Sequence, residues 1–244
     1  MARLHFTETY DLPGGGELRA SGDAFARELV VLTPGGTGGS HAGRWSSNMA
    51  YLGPRVRRSL GPGTRIVELR WGNSSWRDPR PAFADLGHAL DREAAMHAAA
   101  TVAADDAPAD RRIVLVGFSM GGAACLAQAA TRGVVGLVGI APWFPHELPI
   151  SALVDRRLRV AHGSLDGELP IVPGLKSTSA RRAVDLARAA GIDATFTSVA
   201  GALHGLALPI GPLLVPLPRA RALARYATAA VTELLRTPPF DPRP

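Results

Sequence analysis

The stretch Val114-Leu115-Val116-Gly117-Phe118-Ser119-Met120-Gly121-Gly122-Ala123-Ala124 runs from apolar residues through a glycine-flanked serine into an alanine-rich segment. Two local preferences change places at Ser119. Residues 113–116 form a short apolar run of the kind found in strands buried on both faces, whereas residues 123–130 favour helix. A serine on a sharp strand-to-helix turn is driven into a strained backbone conformation that lifts its hydroxyl clear of the sheet. Gly117 and Gly121 leave room for strand and helix to close on one another. The stretch reads as a nucleophile elbow with Ser119 as the nucleophile. Glycine fills 27 of the 244 positions, so the letters G-x-S-x-G alone carry little weight and the strand-turn-helix context carries most of it.

Working outward, strand-like and helix-like runs alternate along the chain, with no internal repeat. Residues 4–10 and 17–20 read as an antiparallel start joined by Pro13-Gly14-Gly15-Gly16. Core strands are expected at 28–33, 64–70, 112–117, 134–141, 158–162 and 194–199. Helices are expected at 46–60, interrupted at Gly53-Pro54, and at 82–103, 121–132, 177–190 and 219–236. This alternation predicts an α/β fold: a mostly parallel sheet of about eight strands with helices on both faces. The link 142–156 is too short for a large cap domain. Residues 1–236 are expected to form a single domain, followed by a proline-rich, disordered tail at 237–244.

Serine is a poor nucleophile at neutral pH without a base to take its proton and a third group to orient that base. In open α/β sheets such groups collect beyond the carboxyl ends of the strands. After the run 158–161 comes His162-Gly163-Ser164-Leu165-Asp166, which makes Asp166 the expected acid and Glu168 the fallback. Asp155 precedes the strand and belongs to the wrong edge of the sheet. The last run ends at Val199 and leads into Gly201-Ala202-Leu203-His204-Gly205, which makes His204 the expected base. His162, His146 and His41 are its rivals, and His162 reads as a packed or loop-ordering residue. His88 and His97 fall inside a helix. The order Ser119, Asp166, His204 suits a serine nucleophile on this fold.

Acyl transfer also needs backbone N–H donors for a developing oxyanion. The residue after the serine, Met120, supplies one. Strand 28–33 runs into Thr33-Pro34-Gly35-Gly36-Thr37-Gly38-Gly39-Ser40, where Gly36 is the expected second donor of this oxyanion hole and Thr37 the near alternative. The same loop lacks the Lys-Ser/Thr of a phosphate-binding P-loop. Trp71, Trp76, Trp143 and Phe144 fall at or after strand ends, where aromatic residues can rim an acyl site. Trp143, Trp71 and Thr37 are the expected substrate-binding residues.

Pro34-Gly35-Gly36-Thr37-Gly38, Ala50-Tyr51-Leu52-Gly53-Pro54-Arg55, the elbow, and Ala141-Pro142-Trp143 together resemble the actinobacterial cutinase, triacylglycerol-lipase and dienelactone-hydrolase-like branch of the α/β-hydrolases. The resemblance implies a serine esterase fold and places Trp143 on the wall of the acyl pocket. Two features depart from it. Gly36 stands where that pattern has an aromatic residue, which opens the site. Cys125 is the only cysteine, whereas that branch is disulfide-stabilised. A haloalkane dehalogenase or epoxide hydrolase would need a carboxylate where Ser119 stands.

The formal charge is +6, yet the arginines are dispersed and Lys176 is the only lysine, a pattern that fits a GC-rich coding bias better than a nucleic-acid surface. No segment reaches membrane-spanning length, and the first residues form no signal peptide, so a soluble cytoplasmic enzyme without a membrane or nucleic-acid partner is expected. The expected substrate is a small-molecule ester. No metal or organic cofactor is required by this chemistry. A thioesterase shares every residue named and differs in turning over sulfur esters. A ligand-binding protein on the same scaffold would leave Ser119 unreactive toward a fluorophosphonate.

Overall fold

The computed structural model describes residues 4–37, 39–40, 42–103, 110–147, 149–168 and 174–238. The strands are β1 (Glu8–Asp11), β2 (Glu17–Ser21), β3 (Glu28–Thr33), β4 (Thr64–Arg70), β5 (Arg112–Phe118), β6 (Val134–Ile140), β7 (Arg157–Gly163), β8 (Ala194–Val199), β9 (Ala207–Ile210) and β10 (Leu213–Pro216). The helices are α1 (Ser47–Leu60), α2 (Arg80–Ala103), α3 (Met120–Ala127), α4 (Thr178–Ala189) and α5 (Ala220–Arg236).

Eight strands form one sheet in the order β1-β2-β4-β3-β5-β6-β7-β8. The β1/β2 hairpin and the β2/β4 pair are antiparallel, and every pair from β4 to β8 is parallel. Strands β3, β5 and β6 read as near-continuous apolar runs because both faces are covered. Val30, Val114, Val116 and Val138 pack on one side with residues of α1 and α5, while Leu29, Leu115 and Leu137 pack on the other with residues of α2, α3 and α4. In α5 the buried positions Leu223, Ala224, Ala227, Val231 and Leu234 recur at helical spacing, so one stripe meets the sheet. The expected α/β architecture holds. Between β6 and β7 the described residues carry only the short 3₁₀ turn Ile150–Leu153.

Three local expectations change. Helix α1 runs unbroken through Gly53-Pro54, both buried. Met49, Leu52 and Val56 of the same helix are buried in the core with Leu32, and that packing outweighs the hydrogen bond lost at Pro54. Helix α3 stops at Ala127, short of the expected Arg132. The hairpin β9/β10, pairing Ala207 with Pro216, stands where no strand was expected. Its Leu208, Ile210, Leu213 and Val215 are exposed. Of the expected tail at 237–244, residues 239–244 lie outside the described residues, as does His41. Among the described residues no helix is long and apolar enough to cross a membrane.

Candidate active site

Ser119 joins β5 to α3 with φ 52° and ψ −120°, a left-handed backbone setting unfavourable for a residue with a Cβ. The elbow is held from three sides. Ser119 N–H donates to Ile140 O of β6 at 3.2 Å, while Ser119 O accepts from Gly122 N–H and Trp143 N–H, each at 2.9 Å. A methyl on Gly117 would lie 2.6 Å from Gly122 N, and one on Gly121 would lie 2.6 Å from Pro34 O. Glycine is therefore required where β5, α3 and the segment after β3 converge. Thr33 Oγ1 bonds Val116 O at 3.0 Å and Gly121 O at 3.2 Å, locking β3 to the elbow. Cys125 on α3 is core filling, its thiol pushed up to about 12 by burial.

The loop after β7 carries Asp166 and the loop after β8 carries His204. The two loops are stitched together: Ser164 N–H donates to Val199 O and Leu165 N–H to Ala202 O, both at 3.0 Å, and Gly201 N–H donates to Ser164 Oγ at 2.9 Å. His204 Nδ1 then lies 2.8 Å from Asp166 Oδ2. The other carboxylate oxygen, Oδ1, accepts Leu175 N–H at 2.6 Å. The fallback Glu168 is exposed, and Asp155 lies before β7, away from this end of the sheet.

His204 is fixed on its other flanks as well. Its ring packs against Phe118, centroids 4.9 Å apart and planes inclined by 42°. Asn48, in the first turn of α1, accepts N–H bonds from Leu206 at 2.6 Å and Ala207 at 3.1 Å through Oδ1. Gly205, with φ 111°, lets the chain turn from the histidine into that clasp. Nothing in the sequence marked Asn48, because a side chain that caps a distant loop leaves no local pattern.

Ser119, Met120, Gly36, Trp143 and His204 line one cavity of about 430 Å³ together with Trp76, Gly174 and Leu175. The remaining expected site residues sit elsewhere. Trp71 is buried with its indole N–H on Pro34 O at 3.1 Å, so it braces the glycine-rich loop and the cavity wall comes from the half-exposed Trp76. Thr37 lies in a neighbouring groove, its N–H donating to Ser74 O at 2.6 Å and its Oγ1 2.8 Å from Ser74 Oγ. That leaves Gly36 as the loop residue facing the cavity. Phe144 is buried in the core. Leu175 had no motif to announce it; its link to the site is the N–H on Asp166. Among the described residues no cluster of three His, Cys, Asp or Glu side chains is placed to hold a metal ion.

Fold and cavity together define a hydrolase of the α/β type. The alpha/beta hydrolase family pattern matches residues 30–243, and the chain belongs to that family. No curated protein sequence matches the chain. Among solved structures, the chain is similar to esterase PE8, with 20% identity, a TM-score of 0.53, and coverage of 96% of this chain and 100% of that one. A dienelactone hydrolase-like promiscuous phosphotriesterase, P91 from metagenomic libraries, gives 19% identity, a TM-score of 0.61, and coverage of 93% and 97%. XC6422 from Xanthomonas campestris, an α/β serine hydrolase without a lid, gives 17% identity, a TM-score of 0.55, and coverage of 97% and 96%. At these identities the likeness is one of fold.

Proposed function

We propose that the protein is a serine hydrolase cleaving carboxylic esters through an acyl-enzyme on Ser119. The observation that carries this reading is the 2.8 Å contact of His204 Nδ1 with Asp166 Oδ2 beside a cavity that Ser119 and His204 both line. With Nδ1–H given to the carboxylate, His204 Nε2 is left as a base for the serine proton. Ser119 Oγ attacks the acyl carbon as its proton passes to Nε2. The new oxyanion accepts from Met120 N–H, which as the first donor of α3 has no intrahelical acceptor, and from Gly36 N–H. Collapse expels the alcohol with the proton from Nε2. Water, deprotonated by the same nitrogen, then releases the acid and restores Ser119.

Trp76, Trp143 and Leu175 give the cavity an apolar wall suited to an acyl group, and among the described residues the short β6–β7 link adds no cap over it. A fluorophosphonate probe tests the nucleophile: labelling is expected at Ser119, mapped by peptide mass spectrometry, and absent from Ser119→Ala. A folded protein that stays unlabelled would overturn the reading. Matched oxygen and sulfur esters over a chain-length series test the substrate. Faster hydrolysis of the oxygen series is expected, and acyl-CoA turnover far above every simple ester would reassign the protein as a thioesterase.

A further inference from the structure

The β9/β10 ribbon carries an apolar surface that the chemistry above does not use. Cross-strand partners in an antiparallel pair share a face, and here Leu213 stands opposite Ile210 and Val215 opposite Leu208. The four aliphatic side chains therefore sit together on one side of the ribbon, each between 39% and 65% exposed. The other side turns toward the body: Ala207 is buried, Leu214 is half-buried, and Ser47 Oγ of α1 donates to Ala207 O at 2.8 Å. Residues 207–218 include no charged or hydrogen-bonding side chain. A continuous exposed aliphatic face of this kind marks a surface made for contact.

The helices beside the ribbon supply charge of one sign. Between Glu28 and Glu68, and again between Asp193 and Glu233, the sequence holds no aspartate or glutamate. These two gaps contain α1, the ribbon and α5 as far as Thr232. Helices α1 and α5 lie side by side, with Ser59 Oγ and Thr232 Oγ1 2.9 Å apart. Arg58, Arg219, Arg221 and Arg225 are exposed there. Arg55 beside them loses proton affinity chiefly to burial, with Arg58 and Arg221 adding like-charge repulsion. Acids that bound the gaps are engaged elsewhere: Glu68 pairs with Arg19, Asp193 with Arg157 and Arg159, and Glu233 with Arg159.

We propose that this surface docks the protein on an anionic lipid membrane, with Leu208, Ile210, Leu213 and Val215 entering the acyl boundary and the arginines of α1 and α5 meeting the headgroups. Binding at a membrane surface grows with buried apolar area and with the attraction of cations to anionic lipid, and this side of the molecule presents both. The lack of a membrane-crossing helix bears on spanning, whereas this surface rests on one leaflet. Two features disfavour a second copy of the chain as the occupant. Pro209 and Pro216 each take an N–H out of the strands, which interrupts edge-to-edge pairing. Four side chains also fall far short of the roughly 20 residues a side that a stable protein interface uses. The ribbon begins three residues after His204, and Pro209 lines a groove with Gly36, which also lines the cavity holding Ser119. Docking thus brings a lipid surface beside the candidate site.

Co-sedimentation of the full chain with lipid vesicles tests the proposal. Binding is expected to phosphatidylcholine vesicles holding about 30% phosphatidylglycerol, and is expected to fall at least about tenfold on pure phosphatidylcholine or in about 0.5 M NaCl. Ile210→Ser combined with Leu213→Ser is expected to weaken binding at least about tenfold, with the urea midpoint unchanged because both side chains are exposed. Arg219→Gln combined with Arg221→Gln is expected to weaken binding to the anionic vesicles by about tenfold, and it serves as the readout should the serine variant not fold. No binding to the anionic vesicles, equal binding to both lipids, or an arginine variant that binds as the wild type does would each overturn the proposal. So would full binding by a folded serine variant, which would make the arginines a site for any polyanion. Sedimentation velocity addresses the other occupant: a wild-type dimer that the serine variant abolishes would give the face to a second copy and overturn lipid docking. Failure of the ester-hydrolase reading looks different, because a Ser119 that stays unlabelled would leave vesicle binding intact.

Discussion

The two ends of the parallel sheet treat buried charge in opposite ways. At the amino end, Arg65 of β4 donates to Glu93 of α2 at 2.8 and 3.0 Å, to Glu8 of β1 at 2.6 Å and to Gly22 O at 2.8 Å. Arg111, just before β5, adds a second cation at 3.1 Å from Glu93 Oε2. Glu8 and Glu93 there each have a permanent counter-charge. At the carboxyl end, Asp166 is equally buried, yet among the described residues its ion-pair partners are His162 and His204 alone. No arginine or lysine pairs with it among the described residues. One end uses permanent ion pairs to hold β1, β4, β5 and α2 together; the other pairs its buried carboxylate with histidines only.

Paired substitutions can break this contrast. Ser119→Gly is expected to lower kcat/KM at least about 10⁴-fold, because the nucleophile is gone. It is also expected to raise stability by about 1 kcal/mol, because glycine accepts φ 52° without strain. Glu93→Gln is expected to do the reverse. It leaves Arg65 and Arg111 buried without their shared anion, at a cost of about 3–5 kcal/mol in urea unfolding, with turnover per folded molecule unchanged. If Glu93→Gln instead lowered turnover in a fully stable protein, the two ends would not be independent.

A smaller effect sharpens the carboxyl end. A methyl on Gly36 would lie 2.6 Å from Met120 Sδ and 2.9 Å from Ser74 O. The sulfur sits on a flexible side chain, but the carbonyl belongs to the loop braced against Thr37, so the glycine-rich segment must shift. Gly36→Ala is expected to cost about 10²-fold in kcat, with KM changing far less, as the loss of one oxyanion donor does. An unchanged kcat would remove Gly36 from that role.

What the sequence disclosed divides along the same physical line. Ser119, Asp166 and His204 were each expected just after a strand-like run, and in the structure they lie beyond the carboxyl ends of β5, β7 and β8, where topology brings them to one end of the sheet. The β9/β10 hairpin was not legible. The segment from Ala207 to Pro216 contains three prolines and no polar-apolar alternation, since its apolar side chains face outward with no core to set a period. The exchange of Trp71 for Trp76 on the cavity wall has a similar origin. Both follow β4, and only the tertiary bond from the Trp71 indole to Pro34 O decides which one turns inward. Asn48 and Leu175 act through contacts made across the fold, which no local pattern records.

The smallest expected effect bears on the acid itself. Burial, opposed by Asp166, holds the folded-state proton affinity of His162 below that of an ordinary histidine. The unfolded chain therefore binds a proton near pH 6.5 that the folded protein does not yet accept. Above that pH both states are neutral at this residue and its full stability is present. As pH falls below it, the unfolded state gains protons first and stability drops, by no more than about 1.4 kcal/mol per pH unit. His162→Asn removes the titration, so the stability of the wild type relative to the variant is expected to decline between about pH 7 and about pH 5, measured by urea unfolding at each pH. A constant difference would mean that His162 titrates alike in both states. The carboxyl end would then hold a cation against its buried carboxylate below about pH 6.5, as the amino end does at every pH.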